Sequence, residues 1–231
     1  MARYYVLGSA FSPPKSATFS HFQPDQLPST LKRAAANSYL CCPPEVLEVL
    51  YAASQLSAAS DDDEGATAEA IALIQRAQAF DVQQWAEELH RNPLFSKIPV
   101  ESRVHVGSAH RLAACLYTVN AIPSAGVQLG EGAGERLSHE IFEHLACVPD
   151  EDPNFKATPW PTFIAGAEVK DPEMREWVMH RLRRLVFWCP WGFLYTAMET
   201  LKVIWELDEE GKSQKGWLKM LQDPELNFLI V

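Results

Sequence analysis

The chain has 231 residues, of which 47% are hydrophobic and 22% charged, a composition too apolar for a protein that is disordered throughout. Its 30 acidic residues outnumber the 20 lysines and arginines and give a formal net charge of -10, which argues against the broad basic surface that binds nucleic acid. No run approaches the roughly 18 apolar residues that span a bilayer, and the five cysteines form no Cys-x-x-Cys pair. We therefore expect an intracellular protein with reduced thiols, no membrane segment and no zinc ribbon.

Residues 1–30 mix aromatic residues with proline and serine and show no sustained period, which predicts an irregular N-terminal arm. From Pro43 onward, apolar residues recur at the i, i+3 and i+4 spacing of one helix face, and this helix is predicted to end near Ser57. The acidic run 60–65 contains nothing that would set a ligand geometry, and it predicts a solvated loop.

The middle of the chain continues the helical pattern. Residues 67–90 are predicted to be helical, and the capping-box spacing that begins at Asp81 indicates two helices that meet there. A further apolar stripe predicts a helix that stops before Pro123. The glycine-rich segment 126–134 predicts a loop, and residues 137–145 place apolar side chains on one face of a short helix.

The last third of the chain has the clearest helix boundaries. Asp171-Pro172-Glu173 combines a capping side chain, a first-turn proline and a carboxylate near the positive end of the helix dipole. Residues 189–192, Cys-Pro-Trp-Gly, end that helix, and further helices are predicted over 194–205 and 217–221, before an apolar tail at 228–231. No segment shows the convincing alternation of apolar and polar residues that is typical of a strand. The sequence therefore predicts an all-α fold, a single irregular multi-helix domain.

Two short motifs suggest chemistry that their spacing does not support. His139 and His144 are five positions apart, about 140° around a helix, whereas the zinc motif HExxH places its histidines four apart on one face. Residues 130–134 carry alternating glycines, but Glu135 stands where GxGxxG needs its third glycine. We therefore predict neither a metal site nor a phosphate-binding loop.

The one dense basic cluster consists of His180, Arg181, Arg183 and Arg184. On a helix, His180, Arg183 and Arg184 share one face. This face is either solvated, which we favour, or a docking patch for an acidic partner or a phosphate.

Tryptophan is frequent, with seven residues in the chain. Trp177 and Trp205 fall on apolar helix stripes and are predicted to be core residues. Trp160, Trp188 and Trp191 flank loops, where indole rings either pack in the core or line a pocket for an apolar ligand.

Residues 158–168 read TPWPTFIAGAE, which resembles the TxWPLFIAGxE signature of the fungal-specific transcription factor regulatory domain. Residues 39–45, YLCCPPE, are similar to the acriflavine sensitivity control protein-like branch of that family. The resemblance extends from about Leu31 to the end of the chain. Further residues fit the order of that domain: Arg175, Trp191-Gly192, Glu199, Ile204-Trp205, Trp217 and Asn227-Phe228-Leu229.

This resemblance implies an all-helical regulatory domain over residues 31–231. In typical members such a domain follows a binuclear zinc-cluster DNA-binding domain, and the proteins are nuclear regulators of secondary-metabolite or drug-response genes. The chain departs from the family pattern because the six-cysteine cluster and its basic linker are absent from the sequence. We therefore expect no direct contact with nucleic acid.

Two functions remain open at this point. The first is a regulatory or interaction module, in the nucleus or cytoplasm, that binds a protein partner or a small hydrophobic effector, with a homodimer left open. The second is a stand-alone biosynthetic enzyme that cyclises a hydrophobic intermediate in a shaped aromatic pocket, without a cofactor. If such a reaction required an acid–base group, His105, His110 and Glu168 would be the candidates.

Overall fold

The structure is a computed structural model that describes residues 6–7, 10–11, 26, 29–31, 41–57, 63–210 and 216–222. Within these residues the regular secondary structure is helical and contains no strand, which confirms the predicted all-α fold. The α-helices are α1 (Pro44–Leu56), α2 (Glu64–Gln78), α3 (Val82–His90), α4 (Val100–Ala121), α5 (Pro123–Gln128), α6 (Ala133–Ala146), α7 (Pro159–Glu168), α8 (Pro172–Trp188), α9 (Gly192–Glu209) and α10 (Gly216–Leu221). A 3-10 helix, Phe155–Ala157, precedes α7.

Helix α4 is the centre of the molecule, because α1, α2, α3, α5, α6, α7 and α10 all pack against it. The apolar stripe predicted for this segment is buried, and so are residues on its other faces, including Gly107, Cys115 and Tyr117. A helix that is covered on most sides needs small or apolar residues all round rather than one stripe. At Gly107, a Cβ atom would lie 2.8 Å from side-chain carbons of Val82 and Trp85 in α3, so glycine permits the close approach of α3.

Helix α7 lies between the central helix and the C-terminal helices, in contact with α4, α6, α8 and α9. Pro159 and Pro161 fall in its first turn, where backbone N–H groups have no partner within the helix and proline costs little. The Trp205 indole of α9 donates a hydrogen bond of 2.9 Å to the Gly166 carbonyl. The signature sequence 158–168 therefore forms a largely buried helix and its N-cap, between α4 and the pair α8 and α9.

Several predicted helix boundaries are confirmed. Asp81 caps α3 by accepting a hydrogen bond from the Gln84 backbone N–H, so residues 67–90 do contain two helices. Asp171 caps α8 in the same way, with the Glu173 N–H as donor. The interruption predicted at 189–192 separates α8 from α9.

Two loop predictions are wrong. Asp63 accepts hydrogen bonds from Gly65 and Ala66 N–H groups, so α2 begins inside the acidic run rather than at residue 67, and residues 58–62 lie outside the described part. Much of the predicted loop 126–134 is helical, because Pro123 starts α5 and Ala125 is buried. Only residues 129–132 connect α5 to α6, with Gly130 and Gly132 at positive φ.

Both ends of the chain are described only in part. Of the predicted N-terminal arm, Val6, Leu7, Ala10 and Phe11 are buried. The Tyr117 hydroxyl donates a hydrogen bond of 2.7 Å to the Ala10 carbonyl, which joins this stretch to α4. The predicted apolar tail at 228–231 lies outside the described residues.

Candidate functional site

An apolar cavity of about 420 Å³ lies where α4, the 3-10 helix, α7 and the turn between α8 and α9 come together. Its volume falls within the roughly 300–1,000 Å³ that is usual for small-molecule sites. The apolar members of its wall are Leu7, Ala157, Pro159, Trp160, Phe163, Pro190, Trp191, Phe193, Leu194 and Ala197. A site of this kind binds a ligand mainly by removing apolar surface from water.

The inner wall contains a stacked pair of rings contributed by α4 and α7. The His110 and Trp160 rings are parallel to within 4°, with 5.8 Å between their centroids. The Nε2 atom of His110 lies 2.9 Å from the Ala157 carbonyl oxygen, and because a carbonyl only accepts, Nε2 carries the proton. The indole N–H of Trp160 is buried and has no hydrogen-bond partner among the described residues.

The outer wall is formed by the turn that joins α8 to α9. Backbone hydrogen bonds of 2.7 Å, from Cys189 N–H to Leu185 and from Trp191 N–H to Cys189, fix this turn. Trp191 stacks on Phe193 at 5.7 Å between ring centroids. Because Trp191 lines the cavity and is also 40% exposed, this wall can be reached from solvent.

Two polar side chains lie among the apolar ones. His110 is fully buried, whereas Lys156 of the 3-10 helix lines the cavity and is exposed. Among the described residues that line the cavity, none is an aspartate or a glutamate. The charge of the lining side chains is therefore neutral to positive, although the whole chain carries -10.

The structure brings together only some of the residues predicted to form a site. His110, Trp160 and Trp191 line the cavity, and His105, Glu168 and Trp188 do not. Trp188 is 49% exposed and lies edge-on to Phe187.

Glu168 belongs to a wider and more polar groove between α5, α6 and α10. Its carboxylate accepts hydrogen bonds from the Trp217 indole, at 3.0 Å, and from the Asn120 amide, at 3.3 Å. Glu168 thereby connects α7 to α10 and to α4, which is a structural role.

His105 and His144 form a contact between α4 and α6, with 2.9 Å between their Nδ1 atoms. Burial lowers the pKa of His144, and the nearby His105 and Arg111 charges lower it further. His139 lies on another face of α6 and pairs with Glu143. His139 and His144, the pair compared with the zinc motif, therefore do not contact each other. No group of three or more metal-ligating side chains occurs within the described ranges.

The predicted basic cluster divides into exposed and buried members. His180 and Arg183 are exposed, and Arg184 pairs with Asp150. Arg181 is buried: its guanidinium lies 4.7 Å from the centre of the Phe155 ring and donates to the Val148 carbonyl. Burial lowers the pKa of Arg181 to about 10, so this residue stays charged at neutral pH.

Several cavity residues were not predicted. Phe163 falls inside the signature segment 158–168, and its place there is the one sequence signal that would have found it. Leu7, Lys156 and Phe193 reach the cavity through contacts between distant parts of the chain, and no local pattern marks them.

Comparison with known proteins relates the sequence of this chain to transcription factor domains. Residues 4–231 match the family model described as "Fungal specific transcription factor domain". The chain is 36% identical, over 247 aligned positions, to the "Acriflavine sensitivity control protein acr-2" of Neurospora crassa. That alignment covers 99% of this chain and 41% of the relative, so the chain spans about two fifths of the relative's length. No solved structure is significantly similar, and none of the helices described is long and apolar enough to cross a membrane.

Proposed function

Because the chain belongs to the family of fungal specific transcription factor domains and its role is therefore regulatory, we propose that it is the effector-binding module of a fungal transcriptional regulator. A small hydrophobic molecule occupies the cavity, and the occupied form is the one that partner proteins recognise. The regulated genes serve drug response or secondary metabolism, and the name of the Neurospora relative, which refers to acriflavine sensitivity, supports the first of these. The module works in the nucleus or cytoplasm and does not hold DNA by itself.

The observation that supports this proposal is the apolar cavity, which is open to solvent at Trp191. Its wall is formed by four separate parts of the chain, so a ligand in this space would contact all four. Filling such a space adds dispersion contacts and stabilises the folded form. This is the property that a ligand-dependent regulator needs.

An enzyme that cyclises a hydrophobic intermediate receives less support from the site. Of the three acid–base candidates, His110 alone lines the cavity, and its Nε2 atom is already hydrogen-bonded to Ala157. Glu168 and His105 make contacts elsewhere. A cyclisation that requires proton transfer therefore receives no support from the assembled groups, and we favour a receptor.

The proposal is tested by measuring the thermal denaturation midpoint against a panel of apolar, largely aromatic metabolites. A ligand that binds only the folded form raises the midpoint, by about 5–10 °C for a domain of this size at a hundredfold excess over its Kd. If no compound raises the midpoint, the proposal fails. If a bound compound is chemically converted by the purified chain, the enzyme is the correct alternative.

Two exposed tryptophans of the same turn give a matched pair of variants. Trp191 lines the cavity and Trp188 does not. We expect Trp191→Ala to weaken ligand binding about fivefold, since an aromatic contact is worth about 1 kcal/mol. Trp188→Ala should leave binding unchanged, and an equal loss in both variants would place the ligand elsewhere.

A further inference from the structure

Lysine is the one formally charged side chain among the described residues that line the cavity, whereas the whole chain is acidic. Among the described lining residues the polar members are His110 and Lys156, and neither carries negative charge. The full chain carries a net charge of -10, but at physiological salt a field of exposed charges is screened within roughly 8 Å. The local residues therefore determine which charged ligands the cavity accepts.

From this distribution we propose that the preferred ligands are aromatic anions, such as fused-ring carboxylates or phenolates. This inference rests on the proposed function and specifies its ligand class. The ring system lies within the apolar wall, against Trp160 and Trp191. The anionic group remains at the edge of the cavity, beside the Lys156 ammonium, where it keeps part of its hydration.

The opposite ligand charge is disfavoured by the same geometry. An aromatic cation at this edge would face the Lys156 ammonium, and no carboxylate among the described lining residues would compensate for its lost hydration. A neutral aromatic compound would make the apolar contacts but would gain nothing from Lys156. The predicted order of affinity is therefore anion, then neutral compound, then cation.

The test uses three probes with the same ring and different charge: 2-naphthoate, 2-naphthalenemethanol and 2-naphthylmethylammonium. Binding to the full chain at pH 7 is measured by ligand-observed NMR titration and by the denaturation midpoint. An ion pair at an exposed position is worth up to about 1 kcal/mol, so we expect 2-naphthoate to bind about two- to fivefold more tightly than the alcohol.

Two lysine substitutions show whether Lys156 causes the preference. Lys156→Gln should remove the two- to fivefold advantage of 2-naphthoate and leave the affinity for the alcohol unchanged. Lys170 is also exposed, follows α7 and lines the polar groove instead, so Lys170→Gln is the control and should retain the full preference. Both substitutions remove one exposed positive charge and have little effect on folding.

The outcomes separate this inference from the proposed function. If the three probes bind equally, or if Lys156→Gln and Lys170→Gln behave alike, the anion preference is wrong although the cavity binds ligands. If other apolar compounds raise the midpoint and 2-naphthoate does not, the ligand class is also wrong. If none of the three probes binds and no panel compound does, the proposed function itself fails.

Discussion

Gly166 lies where α7 packs closely against α8. A Cβ atom at this position would lie 2.8 Å from a Val178 methyl carbon and 3.4 Å from a Leu201 methyl carbon. The Gly166 carbonyl also accepts the hydrogen bond of the Trp205 indole. Any side chain here pushes α8 away from α7 and strains that hydrogen bond, so the glycine of the signature segment is required for packing.

We predict that Gly166→Ala lowers the free energy of unfolding by about 1–3 kcal/mol, because it overpacks a buried helix contact. Urea denaturation of the two proteins measures this difference. Gly192→Ala is the control: nothing lies within 4 Å of a Cβ atom there, and its stability should stay within about 0.5 kcal/mol of the original. Equal stability of Gly166→Ala and the original protein would contradict the packing assigned to α7.

Arg181 and Arg183 are two positions apart on α8 and have opposite environments. Arg181 lies against the Phe155 and Trp177 rings and donates to the Val148 carbonyl, whereas Arg183 is exposed. The buried guanidinium therefore fastens α8 to the segment that leads into α7. Sequence spacing alone cannot distinguish these two arginines, because the distinction depends on which neighbours α8 meets.

We expect Arg181→Met to lower the free energy of unfolding by about 1–3 kcal/mol, from the lost hydrogen bonds and cation–π contacts. Arg183→Met should change it by less than about 0.5 kcal/mol. Urea denaturation midpoints at pH 7 compare the two variants. A larger loss in Arg183→Met than in Arg181→Met would mean that the faces of α8 are assigned the wrong way round.

At the scale of elements, the contact between α4 and α6 contains the His105–His144 pair. The 2.9 Å separation of the Nδ1 atoms allows one proton between them, and protonation of the acceptor nitrogen on His144 would break this contact and add a positive charge near Arg111. Glu143 acts in the opposite direction and raises the pKa of His144, but burial, His105 and Arg111 outweigh it. The folded form thus resists protonation of His144.

The lowered pKa of His144 gives a prediction for how the stability of the fold depends on pH. A histidine whose pKa is lowered on folding takes up protons more readily in the unfolded chain, so stability is lost as the pH falls below about 6.5, the ordinary pKa, towards the folded value. His144→Asn should flatten the decrease in stability between pH 7 and pH 5, as measured by urea midpoints. His139→Asn, at an exposed position of the same helix, should keep the original profile, and identical profiles for both variants would exclude His144 as a source of the effect.

Helix boundaries were predictable where a local signal was strong, and not where two local signals conflict. Asp81 and the Asp171-Pro172 pair carry caps that operate within one turn, so the sequence suffices. At residues 126–134 the glycine content favours a loop, but the first-turn proline Pro123 and burial of Ala125 extend helical structure into it. The burial of α7 likewise depends on its contacts with α4, α6, α8 and α9, which no local pattern contains.

At the scale of the whole molecule, the cavity is a product of the tertiary fold. Trp160 and Trp191 were candidates because they flank loops and carry large apolar rings, and His110 was a candidate as a titratable group. Their meeting around one space depends on how the turn after α8 folds back over α7. Trp188 satisfied the same sequence criterion and lies outside the cavity, since its position on the helix turns it towards solvent.

The charge of the molecule leads to a prediction about nucleic acid. With a net charge of -10, the chain repels the phosphate backbone, which supplies most non-specific affinity. We predict that the purified chain produces no shift of duplex DNA in an electrophoretic mobility assay at about 0.15 M salt and micromolar protein. A shift that persists at this salt and depends on the DNA sequence would contradict the proposal that the chain does not hold DNA by itself.

The position of Trp191 allows ligand binding in the cavity to be detected by intrinsic tryptophan fluorescence. Its indole is partly in water and partly against the cavity, so a molecule that settles beside it displaces water from one side of the ring. The fluorescence emission of that indole should then move to shorter wavelength without any attached dye. The shift allows occupancy of the cavity to be followed in real time. In Trp191→Ala the same titration should lose this shift of the emission wavelength.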